Sequence, residues 1–186
     1  MNPIAEQLHE IGRRGVLEAK AVLEELLPGA VDLPFNAYDT TNVLTFDDGP
    51  AHGGPDGRFV LDLGGILRRA APSKATGEEV SHVFVEVKTK GTGAGVLEEY
   101  KEFLRRAAIV SLQRQYETPW FVFYCTVPFG STKGNDLVDG TLLTLCAASW
   151  PKPLQEVARD LDARVVLVIA TKSFVKMLTS WGQHAS

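Results

Sequence analysis

Phe84-Val85-Glu86-Val87-Lys88-Thr89-Lys90 lies inside a strand-like run from His82 to Thr89. Side chains alternate along a strand with period two, so Val83, Val85 and Val87 share one face and Phe84, Glu86 and Lys88 the other. A carboxylate and an ammonium two residues apart on one face can address the same object. An acid in so apolar a run is costly to bury unless a base, a hydrogen-bond donor or a metal compensates it. Taken alone, Glu-x-Lys is equally an ordinary ion pair on the wet face of a half-exposed strand. Its surroundings decide between the two.

Upstream, Phe59 to Leu63 reads as a strand with a lone acid, Asp62, and Gly64-Gly65 after it reads as the place where the backbone turns. A polar connection from Ala70 to Glu79 then leads to the Glu86 strand, which suggests an antiparallel hairpin with a long loop. Paired in this way, Asp62 and Glu86 would share one sheet face, with Lys88 beside them. Two carboxylates that close repel each other unless a cation bridges them. Oxygen-rich sites with open positions suit Mg2+ or Mn2+. A neighbouring lysine can orient a water or neutralise a phosphate.

The N-terminal segment, Ile4 to Leu27, reads as an amphipathic helix with Ile4, Leu8, Ile11, Gly15, Val22 and Leu26 on one face, ended by Pro28-Gly29. Glu18 falls on the margin of that apolar stripe, whereas Glu6, Glu10 and Glu24 project away. Val31 to Phe35 and Asn42 to Phe46 are short strand candidates, and Asp47 to Gly57 is a turn-rich loop. Beyond the glycine-rich Lys90 to Gly95, a helix is expected from about Val96 to Tyr116. Leu97, Tyr100, Leu104, Ala107, Ala108 and Ser111 form its inner side; Glu98, Glu102, Arg105 and Arg106 form a solvated outer side. Trp120 to Val127 and Arg164 to Ala170 are continuous apolar runs of the kind found in buried central strands. Helices are expected at Leu142 to Ser149, Pro153 to Leu161 and Ser173 to Trp181. The order specifies one α/β domain over residues 1–186, a mixed central β-sheet flanked by helices.

The chain has 186 residues, 45% hydrophobic and 23% charged, enough for one proper core. A net charge of −4 and a pI near 5.6 deny it the broad positive field of a sequence-independent nucleic-acid binder, so nucleic-acid contacts must come from a local patch. Arg13, Arg14, Arg68, Arg69, Lys74, Lys88, Lys90 and Lys133 are the candidates. Cys125 and Cys146 form no Cys-x-x-Cys pair and read as buried thiols, which fits a cytoplasmic setting. There is no signal-peptide pattern at the N-terminus and no apolar run of membrane-spanning length. His9, His52, His82 and His184 are scattered without zinc spacing. Gly130-Ser131-Thr132-Lys133-Gly134 lacks the P-loop spacing, and Gly91-Thr92-Gly93-Ala94-Gly95 breaks the dinucleotide fingerprint.

Asp62 on one strand of a hairpin, Glu86-Val87-Lys88 on the next, and a preceding helix bearing Glu18 together resemble the PD-(D/E)XK phosphodiesterase superfamily. The likeness covers roughly Ile4 to Val127. It implies a restriction-endonuclease-like core and metal-dependent phosphodiester hydrolysis of nucleic acid, by a DNA endonuclease or a nuclease subunit. Asp62, Glu86 and the Val87 carbonyl would bind Mg2+ or Mn2+. Lys88 would position the attacking water, and Glu18 would complete a second metal site or hold a water. The partner would be nucleic acid, with a homodimer or a partner subunit supplying basic surface. The alternative is a non-catalytic module of the same fold that binds nucleic acid or a protein. The literal Pro-Asp dipeptide here is Pro55-Asp56; Asp56 lies between glycines outside any apolar strand, so Asp62 is the preferred acid. A glutamine on the helix after Glu-x-Lys is found in some branches; Gln113 and Gln115 come too late in their helix, and neither is carried over.

Overall fold

The run around Glu86 is longer than its alternation suggests: it spans Glu78–Lys88 and is the third strand of a six-stranded sheet. The computed structural model describes residues 3–39, 41, 43–49, 57–70, 78–89, 93–127, 129, 137–138, 140–173 and 175–179. In chain order the elements are α1 (Pro3–Leu26), β1 (Val31–Asn36), β2 (Thr45–Asp47), β3 (Arg58–Val60), β4 (Leu63–Ala70), β5 (Glu78–Lys88), α2 (Gly93–Ser111), β6 (Trp120–Cys125), α3 (Thr141–Ala147), α4 (Lys152–Ala158), a short 3-10 turn (Asp162–Arg164), β7 (Val165–Ala170) and β8 (Val175–Thr179). The large sheet has the order β1-β4-β5-β6-β7-β8; β2 and β3 form a separate two-stranded sheet. β5, β6 and β7 run parallel, and the β1–β4, β4–β5 and β7–β8 pairs are antiparallel. The chain is therefore mixed α/β, and no described helix is long and apolar enough to cross a membrane.

The valine face and the phenylalanine face of β5 lie in different cores. Val83, Val85 and Val87 pack with Val16, Ala19 and Leu23 of α1, while Phe84 packs with Tyr100, Phe103, Leu104 and Phe121 beneath α2. Parallel strands need long crossovers, and α2 and then α3 with α4 fill them. β6 and β7 are buried along their whole length, which is why both read as unbroken apolar runs.

Five expectations are corrected. The segment Phe59 to Leu63 is not one strand. Arg58–Val60 pairs with β2, where Phe46 and Phe59 stack at 5.3 Å, and the chain bends at Leu61-Asp62 before entering the main sheet at Leu63. Gly64-Gly65 is consequently no turn but the start of β4. A Cβ on Gly65 would lie 1.8 Å from the Asp32 carbonyl oxygen, and one on Gly64 2.2 Å from Leu44 Cδ1. These glycines permit close approach of β1 and of the Leu44 side chain, not a reversal.

Helix α1 is rotated from the stripe of its longest apolar residues. Gly15, Val16, Ala19 and Leu23 face the sheet, whereas Ile11 and Leu26 are 48% and 38% exposed. Small residues decide this: a Cβ on Gly12 would meet Tyr38 Oη at 2.1 Å, and one on Gly15 would meet Thr89 Cγ2 at 2.6 Å. Expected as a helix, the segment from Ser173 contains an edge strand instead, Val175–Thr179, which satisfies the backbone groups β7 would otherwise leave open. Helix α2 ends at Ser111, five residues before Tyr116. That frees Tyr116 to pack edge-on against Phe46, His82 and Phe84.

Candidate functional site

The site gathers at the C-terminal end of β5. The β4–β5 register starts with Leu63 opposite Val85, so one further step sets Asp62 opposite Glu86. Asp62 stands at the bend, held by two backbone bonds. Its carbonyl accepts from Ala37 N–H at 2.9 Å, and its Oδ2 accepts from Val87 N–H at 2.7 Å. Successive peptide groups of a strand point to opposite edges. Lys88 accepts on the β6 side, from Thr126 N–H at 3.1 Å, so the Val87 carbonyl is directed to the Asp62 side.

Glu86 is 4% exposed. Its Oε1 accepts from Lys88 Nζ at 2.9 Å and from Arg106 Nη1 at 3.5 Å. Its Oε2 is buried and has no hydrogen-bond partner among the described residues. Lys88 is shared: Nζ also donates to Glu99 of α2 at 2.8 Å. One oxygen of Glu86 thus carries both cations and the other is bare. A bare buried carboxylate oxygen is costly and calls for an explanation, with an ion or an ordered water among the partners that would satisfy it.

The charges show in the proton affinities. Burial, then the nearby Glu86 charge, push the Asp62 carboxyl up from 3.8 to about 6, against the opposing pull of Val87 N–H, Lys88 and Arg106. For Lys88, burial disfavours the ammonium, but Glu86 and Glu99 outweigh it and hold the group above its ordinary value. Burial and the Asp62 charge raise the Tyr38 hydroxyl, with Lys88 opposing, so this phenol stands within range of both. It is seated over Gly12 of α1 and meets His9 edge-on at 4.9 Å.

Of the residues expected from sequence, Asp62, Glu86, Val87 and Lys88 come together. Glu18 pairs with Arg14 at 3.5 Å and its side chain is 59% exposed, while its charge still reaches Tyr124, the β6 partner of Val87. The rotation of α1 accounts for this, since Ala19 and not Glu18 turns inward. Asp56, Lys74, Lys90 and Lys133 lie outside the described residues. Arg13 pairs with Glu10, and Arg69 pairs with Glu79 while lying 4.4 Å over Trp120.

The assignment of Arg105 and Arg106 to a solvated face is corrected. Arg105 binds the buried Asp48 through both terminal nitrogens, at 2.8 Å for Nη1, and so ties α2 to the β2–β3 sheet. Arg106 reaches Glu86. Sequence reading missed Glu99, Arg106 and Tyr38. For the first two a signal exists, because Glu99, Phe103 and Arg106 follow one another at spacings of four and three on one side of α2. Nothing local marks Tyr38.

The donor set suits a hard divalent cation: carboxylate oxygens of Asp62 and Glu86, one of them bare, with a backbone carbonyl aimed alongside. The set is small. Among the described residues no group of three or more His, Cys, Asp or Glu side chains is spaced to hold a metal. Comparison of the chain with family models, characterised proteins and solved structures gives no match.

Proposed function

We propose that this chain is a Mg2+- or Mn2+-dependent nuclease on a restriction-endonuclease-like core, hydrolysing phosphodiester bonds of DNA. The observation that carries this reading is the bare, buried Glu86 Oε2 at the strand end where Asp62 is pinned and Lys88 stands. Asp62, Glu86 and the Val87 carbonyl would hold the cation. When bound, it would polarise the phosphodiester and acidify a water. The protein's own groups do the rest. Val87 N–H fixes the Asp62 carboxylate so that its second oxygen is aimed. Below about pH 6 Asp62 is protonated, and a cation would have to compete with that proton. Lys88, steadied by Glu99, orients the water or offsets charge on the phosphate.

The acidic chain supplies no long-range attraction, so nucleic-acid binding by itself should be weak and steeply salt-dependent. A homodimer or a partner subunit would then add basic surface. A second reading, a non-catalytic binding module, is favoured by one observation: Lys88 and Arg106 already neutralise Glu86 from within the fold. The deciding experiment is cleavage of plasmid and of single- and double-stranded oligonucleotides in Mg2+ and Mn2+, by wild type and by a folded Lys88→Ala. Cutting by wild type alone supports the nuclease. A wild type that cuts nothing across these conditions supports the binding module.

A further inference from the structure

Arg106 has three holds and no strong one. Its Nη1 lies 3.5 Å from Glu86 Oε1, its Nε lies 3.3 Å from Glu102 Oε1, and its Cζ lies 5.3 Å over the Phe59 ring. The side chain is 28% exposed, so the guanidinium has one side on the site and one on solvent. Glu86 does not depend on it, because Lys88 sits closer on the same oxygen. Of the two cations on Glu86, Arg106 is the looser and Lys88 is further anchored by Glu99.

Resting on the reading of this site as a divalent-cation phosphodiesterase, we infer that Arg106 is a transferable counter-ion. In the free protein it neutralises Glu86. Once a divalent cation takes Glu86, Arg106 turns to a phosphate of the bound nucleic acid. Two added positive charges on Glu86 repel the neighbouring guanidinium, and the longer contact yields first. Glu102 and Phe59 keep the released group within reach of the site. A guanidinium presents paired donors that match phosphate oxygens, which an ammonium does not. The same side chain therefore competes with the metal and cooperates with the substrate.

Those two roles predict effects of opposite sign. Ca2+ and Mn2+ binding is measured by calorimetry on the protein without nucleic acid, for wild type, Arg106→Ala and Arg106→Gln. The glutamine keeps a hydrogen-bonding chain and guards against a folding defect. Binding of a DNA duplex in Ca2+ is then measured over a salt series. Both variants should bind the ion about three- to tenfold more tightly, as expected when about one nearby positive charge is removed. Both should bind DNA more weakly, with the slope of log affinity against log salt reduced by about one. Unchanged or weakened ion binding in both variants overturns the inference, as does an unchanged salt slope. A wild type that binds neither ion overturns the metal site itself and this inference with it. A wild type that binds ion and DNA, with variants indistinguishable from it, overturns the role of Arg106 alone.

Discussion

Replacing Asp62 by Asn should make the metal-free protein more stable at neutral and alkaline pH. Burial and Glu86 raise the Asp62 carboxyl to about 6, so the fold favours its protonated form. A carboxyl with a raised folded-state value stabilises the fold fully below its unfolded value near 3.8. That contribution is lost as pH rises through about 6. The gap between 3.8 and about 6, at about 1.4 kcal/mol per pH unit, is worth about 3 kcal/mol at pH 8. Asn imitates the neutral acid and retains an oxygen for Val87 N–H. It should therefore recover most of that amount, or roughly 5–10 °C in Tm for a chain of this size. The difference between variant and wild type should shrink steadily from pH 7 to pH 4.

Thermal and urea unfolding of both proteins from pH 4.5 to 8.5, in chelator, measures this. In Mn2+ the order should close or invert, because only the wild type gains from the ion. An Asn variant less stable than wild type at pH 8, by an amount independent of pH, would refute the reasoning. It would show that Asp62 is an ionised partner of Lys88 or Arg106 rather than a repelled acid.

Lys88→Ala should destabilise by about 2 kcal/mol in chelator, since Glu86 loses its nearest cation while staying buried. Glu86→Ala should cost much less, because Lys88 keeps Glu99 and Arg106 keeps Glu102; comparable losses for the two in urea titrations would argue for a simple structural ion pair. Gly65→Ala should cost more than about 3 kcal/mol or prevent folding, as its Cβ would overlap the Asp32 carbonyl, and a near-neutral change in Tm would contradict the β1–β4 register. Glu18→Gln should alter stability by less than about 0.5 kcal/mol and leave Mn2+ affinity unchanged by calorimetry; a large loss of affinity would return Glu18 to the site.

Local pattern determined a good part of this molecule. The alternation from Val83 to Lys88 was enough to assign the valines to one core and Glu86 with Lys88 to the other face. Continuous apolar runs were enough to mark β6 and β7, since strands buried on both faces need no polar alternation. The Asp62-to-Glu86 opposition followed from pairing two adjacent strands. Tertiary contacts decided the rest. Stacking of Phe46 on Phe59 draws β3 out of the main sheet and makes Asp62 a bend residue, which a five-residue window cannot reveal. Gly12 and Gly15 let α1 descend on Tyr38 and Thr89, and that close approach, not the count of apolar side chains, sets the rotation that turns Glu18 outward. The open edge of β7 made a strand of a segment that reads as a helix. Helical spacing aligns Glu99 and Arg106 with Phe103 on one side of α2, but only the packed fold brings them onto Lys88 and Glu86. Periodicity is a property of neighbours along the chain; the charges around Glu86 come from residues far apart in it, and only the packed fold brings them together.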